Sequence, residues 1–172
     1  MIKYIISGPE SSGKTTLCEE LSKFYKTTYI KEYAREYLLK YNNKYQKDDL
    51  FKIAKKQYQS EQKPNNILIC DTDLITIKIW SLEKYKSCDD WILKKINAQK
   101  TENRIYLLCS PDIKWHFDPQ RENPNDRNRL LKIFKSEITS LQHPLHIISG
   151  KNRCKDAIKL IDKINLSYGK SF

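Results

Sequence analysis

Five short apolar runs punctuate the chain, at Ile2–Ile6, Thr28–Ile30, Ile67–Cys70, Ile105–Cys109 and Leu145–Ile148. Short, largely apolar runs of this kind read as strands buried on both faces. Between them the apolar residues recur every three or four positions, as amphipathic helices require. Leu17, Leu21 and Phe24 form one stripe, in a helix over 14–25. Leu50, Ile53, Ala54, Gln57 and Tyr58 form a second; Leu130, Phe134, Ile138 and Leu141 a third; Ala157, Leu160, Ile161 and Ile164 a fourth. Another helix, carrying Leu74, Ile75 and Trp80, follows the third run. Strands alternating with helices predict an α/β fold, a parallel sheet covered on both faces. Polar loops are expected near 42–47, 63–66 and 116–128, and no internal repeat is present.

At 172 residues the chain is expected to form a single domain, 1–172, large enough to bury about two thirds of its unfolded surface. In open parallel sheets, ligands gather beyond the carboxyl ends of the strands. The residues after each apolar run are therefore the candidates for chemistry. After the first run stands Gly8-Pro9-Glu10-Ser11-Ser12-Gly13-Lys14-Thr15, the spacing G-x-x-x-x-G-K-T. That spacing serves a physical end: two glycines let the backbone wrap a phosphate, with successive N–H groups and the next helix N-terminus aimed at the anion. Lys14 is expected on the outer phosphates of ATP and Thr15 on Mg2+, with Gly8, Glu10, Ser11, Ser12, Gly13 and Thr16 completing the ATP cradle.

Ile67–Cys70 ends in Asp71-Thr72-Asp73. A carboxylate at the end of a buried strand suits a magnesium-side acid reaching the ion beside Thr15, the role expected of Asp71. Asp73 fits either the N-cap of the next helix or a second acid at the acceptor hydroxyl. After the second run, Glu32-Tyr33-Ala34-Arg35 offers a carboxylate for the acceptor and a cation for the moving phosphoryl group; a surface ion pair is the other role such spacing serves. After the fourth run, Asp118 to Arg127 is a polar, proline-punctuated loop holding Arg121 and Arg127. It reads as a lid over about 116–128 whose arginines close on the triphosphate and exclude water. Asp126 is placed to cap the helix beyond. Trp115 suits stacking on a bound ring or packing under the loop. Lys151, after the fifth run, is a further ATP-side candidate.

Charge modifies this picture little. The net charge is +11, but 26 of the 32 basic residues are lysines spread along the chain, so a solvated surface is expected and nucleic acid is not. Arginine is scarce: six occur, and Arg121, Arg127 and Arg129 lie within nine residues. Five cysteines without a C-x-x-C pair point to reduced, structural thiols, and three histidines lack a metal-site spacing. No stretch is long and apolar enough for a membrane span and no leader precedes the first strand, so a cytoplasmic protein is expected.

The run Gly8 to Leu17, Glu32-Tyr33-Ala34-Arg35, Asp71-Thr72-Asp73, and the stretch from Trp115 through Asp118 and Arg121 to Arg127 together resemble the ribosylnicotinamide kinase domain of NadR-type proteins of NAD biosynthesis, within the P-loop nucleoside and nucleotide kinases. The resemblance implies a five-stranded parallel sheet in the order 2-3-1-4-5. It also implies transfer of the ATP γ-phosphoryl group to the 5'-hydroxyl of nicotinamide riboside, giving nicotinamide mononucleotide. The similar lids usually read Asp-Gly-x-Arg, whereas this chain has Asp118-Pro119-Gln120-Arg121, a stiffer entrance. Such proteins often carry a fused adenylyltransferase, so a separate adenylyltransferase is an expected partner here.

The expected mechanism sets Lys14 and the loop amides on the phosphates, Thr15 and Asp71 at magnesium, Glu32 or Asp73 at the acceptor hydroxyl, and Arg121 and Arg127 above. Tyr33, Arg35 and Trp115 are expected to help bind the nucleoside. The competing expectations are another nucleoside as acceptor, an ATP-binding sensor without transfer, and a basic nucleic-acid-binding NTPase.

Overall fold

The computed structural model describes residues 2–62 and 67–169. Its elements run β1 (Ile2–Ser7), α1 (Lys14–Phe24), β2 (Tyr29–Ile30), α2 (Tyr33–Lys40), α3 (Lys47–Ser60), β3 (Ile67–Asp71), α4 (Leu74–Tyr85), α5 (Asp90–Ala98), a 3-10 turn (Gln99–Thr101), β4 (Arg104–Cys109), α6 (Arg127–Ser140), β5 (Leu145–Ile148) and α7 (Arg153–Ser167). The five strands form one parallel sheet in the order β2-β3-β1-β4-β5, as the resemblance implies. Ile6 of β1 stands opposite both Asp71 of β3 and Leu107 of β4.

Alternation along the strands divides the core. Ile5, Leu68, Cys70, Tyr106 and Leu108 face one layer, built from Leu50 and Ile53 of α3, Ile75 and Ile79 of α4, Ile92 and Ile96 of α5, and Leu130, Phe134 and Ile138 of α6. Tyr4, Ile6, Ile69, Leu107 and Cys109 face the other, where Leu17 and Leu21 of α1 meet Ala157 and Ile161 of α7. All five cysteines are free. Among the described residues, no helix is long and apolar enough to cross a membrane.

The predicted strands and stripes recur within a residue or two, and the expected loop at 63–66 lies outside the described residues. Two differences have local causes. The run at 28–30 contributes only Tyr29 and Ile30, an edge strand paired on one side with Ile69 and Cys70. Asp126 occupies the N-cap position of α6 without a side-chain capping bond, because its carboxylate instead accepts from Arg129 Nε at 2.6 Å.

Candidate active site

The loop 8–13 joins the end of β1 to α1, and its conformation explains both glycines. Gly8 has φ of 133°, and a Cβ there would stand 2.6 Å from the Cys109 carbonyl oxygen, so only glycine fits. Gly13 enters the helix at φ of 82°. Four carbonyls of the loop are held by side chains or by the helix. Pro9 O accepts from Ser12 Oγ at 2.7 Å and Lys14 Nζ at 2.9 Å; Ser11 O accepts from Arg127 at 3.0 Å; Ser12 O accepts from Arg153 at 2.8 Å; Gly13 O accepts from Leu17 N at 3.0 Å. Carbonyls fixed in this way leave the loop's N–H groups and the α1 N-terminus for an anion.

Thr15 Oγ1 donates to Asp71 Oδ2 at 2.7 Å, while Asp71 Oδ1 is buried without a protein partner. Burial raises the Asp71 carboxyl above its ordinary value, opposed by the Lys14 charge and the Thr15 bond. Burial likewise raises Glu32, with Lys14 and Arg35 pulling it down and Asp71 pushing it up. Glu32, Lys14, Asp71 and Arg35 thus form one electrostatic group at the strand ends. A hydroxyl and a carboxylate with an unsatisfied oxygen are hard donors that suit a divalent cation. Among the described residues no three His, Cys, Asp or Glu cluster as a metal cage, so such an ion would take its remaining ligands from phosphate and water.

A cleft of about 320 Å³ opens in front of the loop. One end is lined by residues 8–16, with Glu32 and Arg35; the other is mainly apolar, with Ala34, Leu38, Ile79, Trp80, Leu130 and Phe134 from α2, α4 and α6, and also carries Thr76, Glu83 and Lys84 of α4. The segment between β4 and α6 lies across it. Arg35 donates to Asp118 at 2.9 Å, Ser11 Oγ accepts from His116 N at 3.1 Å, and Gln120 Nε2 donates to the Arg35 carbonyl at 3.3 Å. Arg121 lines the cleft, donating to His116 O at 2.6 Å.

The structure gathers Gly8, Glu10, Ser11, Ser12, Gly13, Lys14, Thr15, Thr16, Glu32, Arg35 and Arg121 around the cleft, with Asp71 reached through Thr15. It does not bring in the others. Asp73 is fully buried: one oxygen accepts from Ile75 N, capping α4, and the other accepts from Tyr106 at 2.6 Å and Arg104 at 3.1 Å. The capping role prevails because this carboxylate is the counterion of a buried arginine, and its proposed place at the acceptor hydroxyl is corrected accordingly. Arg127 is also corrected: rather than overhanging the triphosphate, it donates to Ser11 O and Ile113 O at 3.0 and 3.1 Å and supports the loop from the side. Trp115, itself in the covering segment and outside the cleft lining, has the Arg121 and Arg127 guanidinium groups 5.9 and 5.7 Å from its ring. The Tyr33 amide donates to Gln57 Oε1 at 3.0 Å, and its ring packs on Tyr37, outside the cleft lining. Lys151 is exposed and borders a separate depression shared with Gly13, Thr16 and Arg153.

Two sets of residues escaped the sequence reading. Arg153, the first residue of α7, binds Ser12 O, Ser110 O, Gly150 O and the Asp112 carboxylate together, bracing the loop against the ends of β4 and β5. The scarcity of arginine was the available signal. Tyr45, Lys84 and Glu122 form a second set at the apolar end, brought together from separate segments with no shared motif.

A family model described as an AAA domain, AAA_28, matches residues 3–154, most of the chain and every element from the phosphate loop to the start of α7. The chain belongs to the AAA_28 family. No curated protein sequence matches this AAA_28 chain. Among solved structures it is similar to a NadR protein in complex with NR, at TM-score 0.69 and 19% identity over 94% of this chain and 51% of that one. It is similar to a NadR protein in complex with NAD and AMP-PNP at TM-score 0.71 and 19% identity, over 99% of this chain and 50% of that one. YorR from Bacillus subtilis, in complex with phosphorylated GDP, superposes at TM-score 0.65 with 14% identity over 99% of both chains. The AAA_28 chain spans about half the length of the two NadR chains. The resemblance read from the sequence therefore holds in the fold, a five-stranded parallel P-loop NTPase sheet.

Proposed function

We propose that this AAA_28 chain transfers the γ-phosphoryl group of ATP to the 5'-hydroxyl of a nucleoside, with nicotinamide riboside the leading acceptor. The observation that carries the reading is the joining of two unlike halves in one cleft: a phosphate loop with Lys14, Thr15 and Asp71 at one end, and an apolar, tryptophan-bearing slot at the other. A sensor has no need of a carboxylate beside the phosphates, and Glu32 lines the cleft at the loop end. The NadR neighbours, seen with NR and with NAD and AMP-PNP, support the choice of nicotinamide riboside.

In this scheme the loop amides and Lys14 bind the phosphates and Arg121 covers them. Thr15 and Asp71 would hold Mg2+, which supplies charge neutralisation on the phosphate oxygens when bound. Glu32, its carboxyl raised by burial, accepts the proton of the acceptor hydroxyl. The covering segment acts as a lid, excluding water so that transfer outcompetes hydrolysis. The domain is a single kinase unit, 1–172, whose product suits a separate adenylyltransferase. The test is mass-resolved product analysis with ATP and magnesium against nicotinamide riboside and the common purine and pyrimidine nucleosides. Nicotinamide mononucleotide as the dominant product supports the assignment; a preferred purine or pyrimidine nucleoside reassigns the acceptor.

A further inference from the structure

Glu10 is an acid inside a loop built to hold anions. Its carboxylate is not directed at a cation: it accepts from the backbone N–H of Glu122 at 3.1 and 3.0 Å and of Asn123 at 2.9 Å. Glu122 in turn reaches the opposite wall of the cleft. Its Oε1 accepts from Tyr45 Oη at 2.9 Å and Lys84 Nζ at 2.8 Å, and that tyrosine oxygen also accepts from Trp80 Nε1 at 2.8 Å. The Tyr45 ring packs edge-on to Trp80 at 4.7 Å, with Lys84 over its face at 4.0 Å. A continuous chain of contacts therefore runs from the phosphate loop, through the backbone and side chain of one lid residue, to the aromatic wall of the acceptor slot.

We propose that Glu10 and Glu122 are paired positioning residues that make lid closure depend on both substrates at once. The inference rests on the kinase reading above. Its physical basis is charge: a triphosphate in the loop repels an unsatisfied Glu10 carboxylate, and the two lid amides offset that repulsion only with the lid down. Nucleotide thus strengthens the Glu10 bonds to the lid. An acceptor resting on Trp80 fixes Tyr45 and Lys84, and with them the Glu122 side chain. Each substrate stabilises one end of the same residue, so ATP alone closes the lid incompletely and is hydrolysed slowly.

The experiment compares wild type with Glu10→Ala, Glu10→Gln and Glu122→Ala, counting ATP consumed per nucleoside phosphorylated and following hydrogen exchange at the amides of 122 and 123. The expected result is a several-fold rise in ATP consumed per product for both alanine variants, with Glu10→Gln intermediate because it keeps one acceptor oxygen. The acceptor KM rises with Glu122→Ala, and exchange at 122–123 speeds in Glu10→Ala, while cooperative melting is retained. The Glu10→Ala, Glu122→Ala double variant is expected to be no worse than the worse single one, as members of one chain of contacts should be. An unchanged ratio and unchanged exchange in folded Glu10→Ala overturns the inference. A wild type that transfers nothing yet shows the exchange contrast keeps the link and overturns the kinase reading instead.

Discussion

Thr15 and Asp71 are 56 positions apart in sequence, yet Thr15 Oγ1 lies 2.7 Å from Asp71 Oδ2 because β1 and β3 are neighbours in the sheet. Ile6 and Asp71 share a register position, so the acid ends its strand beside the phosphate loop. The second Asp71 oxygen is buried and unpartnered. Replacement by Asn keeps an acceptor for Thr15 and removes the charge that suits a divalent ion. Asp71→Asn is expected to lower kcat by roughly 10²- to 10³-fold, the range for loss of one preorganised electrostatic group, and to raise the magnesium concentration needed for half-maximal rate. A magnesium titration of steady-state phosphotransfer checks both.

In the proposed mechanism Glu32 contributes to the acid limb of the pH profile. Burial holds its carboxyl above the ordinary value of 4.5, and transfer requires it unprotonated. Activity should therefore fall on acidification at a pH above that of a free glutamate, and Glu32→Gln should lower the rate throughout and shift that limb, leaving the part that the likewise raised Asp71 carboxyl contributes. A kcat/KM profile of both proteins decides the point.

Asp73 provides the contrast. It is a fully buried counterion of Arg104 and the cap of α4, so Asp73→Ala should cost about 3–5 kcal/mol of stability, the usual cost of stripping one partner from a buried pair. Chemical denaturation measures that loss. A variant of native stability but without transfer activity would return Asp73 to the catalytic group.

These two acids show what a sequence exposes. Asp71 and Asp73 stand two apart after one apolar run and look alike along the chain. Their separation depends on Thr15, reached through a strand pairing, and on Arg104, 31 residues away in sequence. The phosphate loop was legible because its chemistry is local, fixed by Gly8, Gly13, Lys14 and Thr15 within eight positions. The strand order followed from the resemblance and the strands from their apolar runs. Helix α5 was not legible, since only Ile92 and Ile96 of its nine residues are buried. The arginines were visible as a group but not in their roles, because Arg127 and Arg153 act on backbone carbonyls that carry no sequence signature.

The same buried cluster gives a pH dependence of stability. Arg104 donates to Glu61 at 2.6 Å, and both side chains are fully buried with Asp73 adjacent. Burial pushes Glu61 up to about 7 from 4.5, with the Asp73 charge adding and Arg104 opposing. A carboxyl whose native value is raised binds more protons folded than unfolded between those limits. The stability it lends is complete below about pH 4.5 and lost as pH rises through about 7. Melting temperature should decline across that window in the wild type, and Glu61→Gln should flatten the decline.

In the proposed function the cleft between Lys14 and Trp80 passes a phosphoryl group from ATP to a nucleoside. The most direct measurement follows label from γ-labelled ATP into product with nicotinamide riboside and magnesium, for wild type and Lys14→Ala side by side. Labelled nicotinamide mononucleotide is expected from the wild type, with a loss of roughly 10²-fold or more in the variant. Label appearing only as free phosphate, or transfer at the same rate by Lys14→Ala, would contradict it.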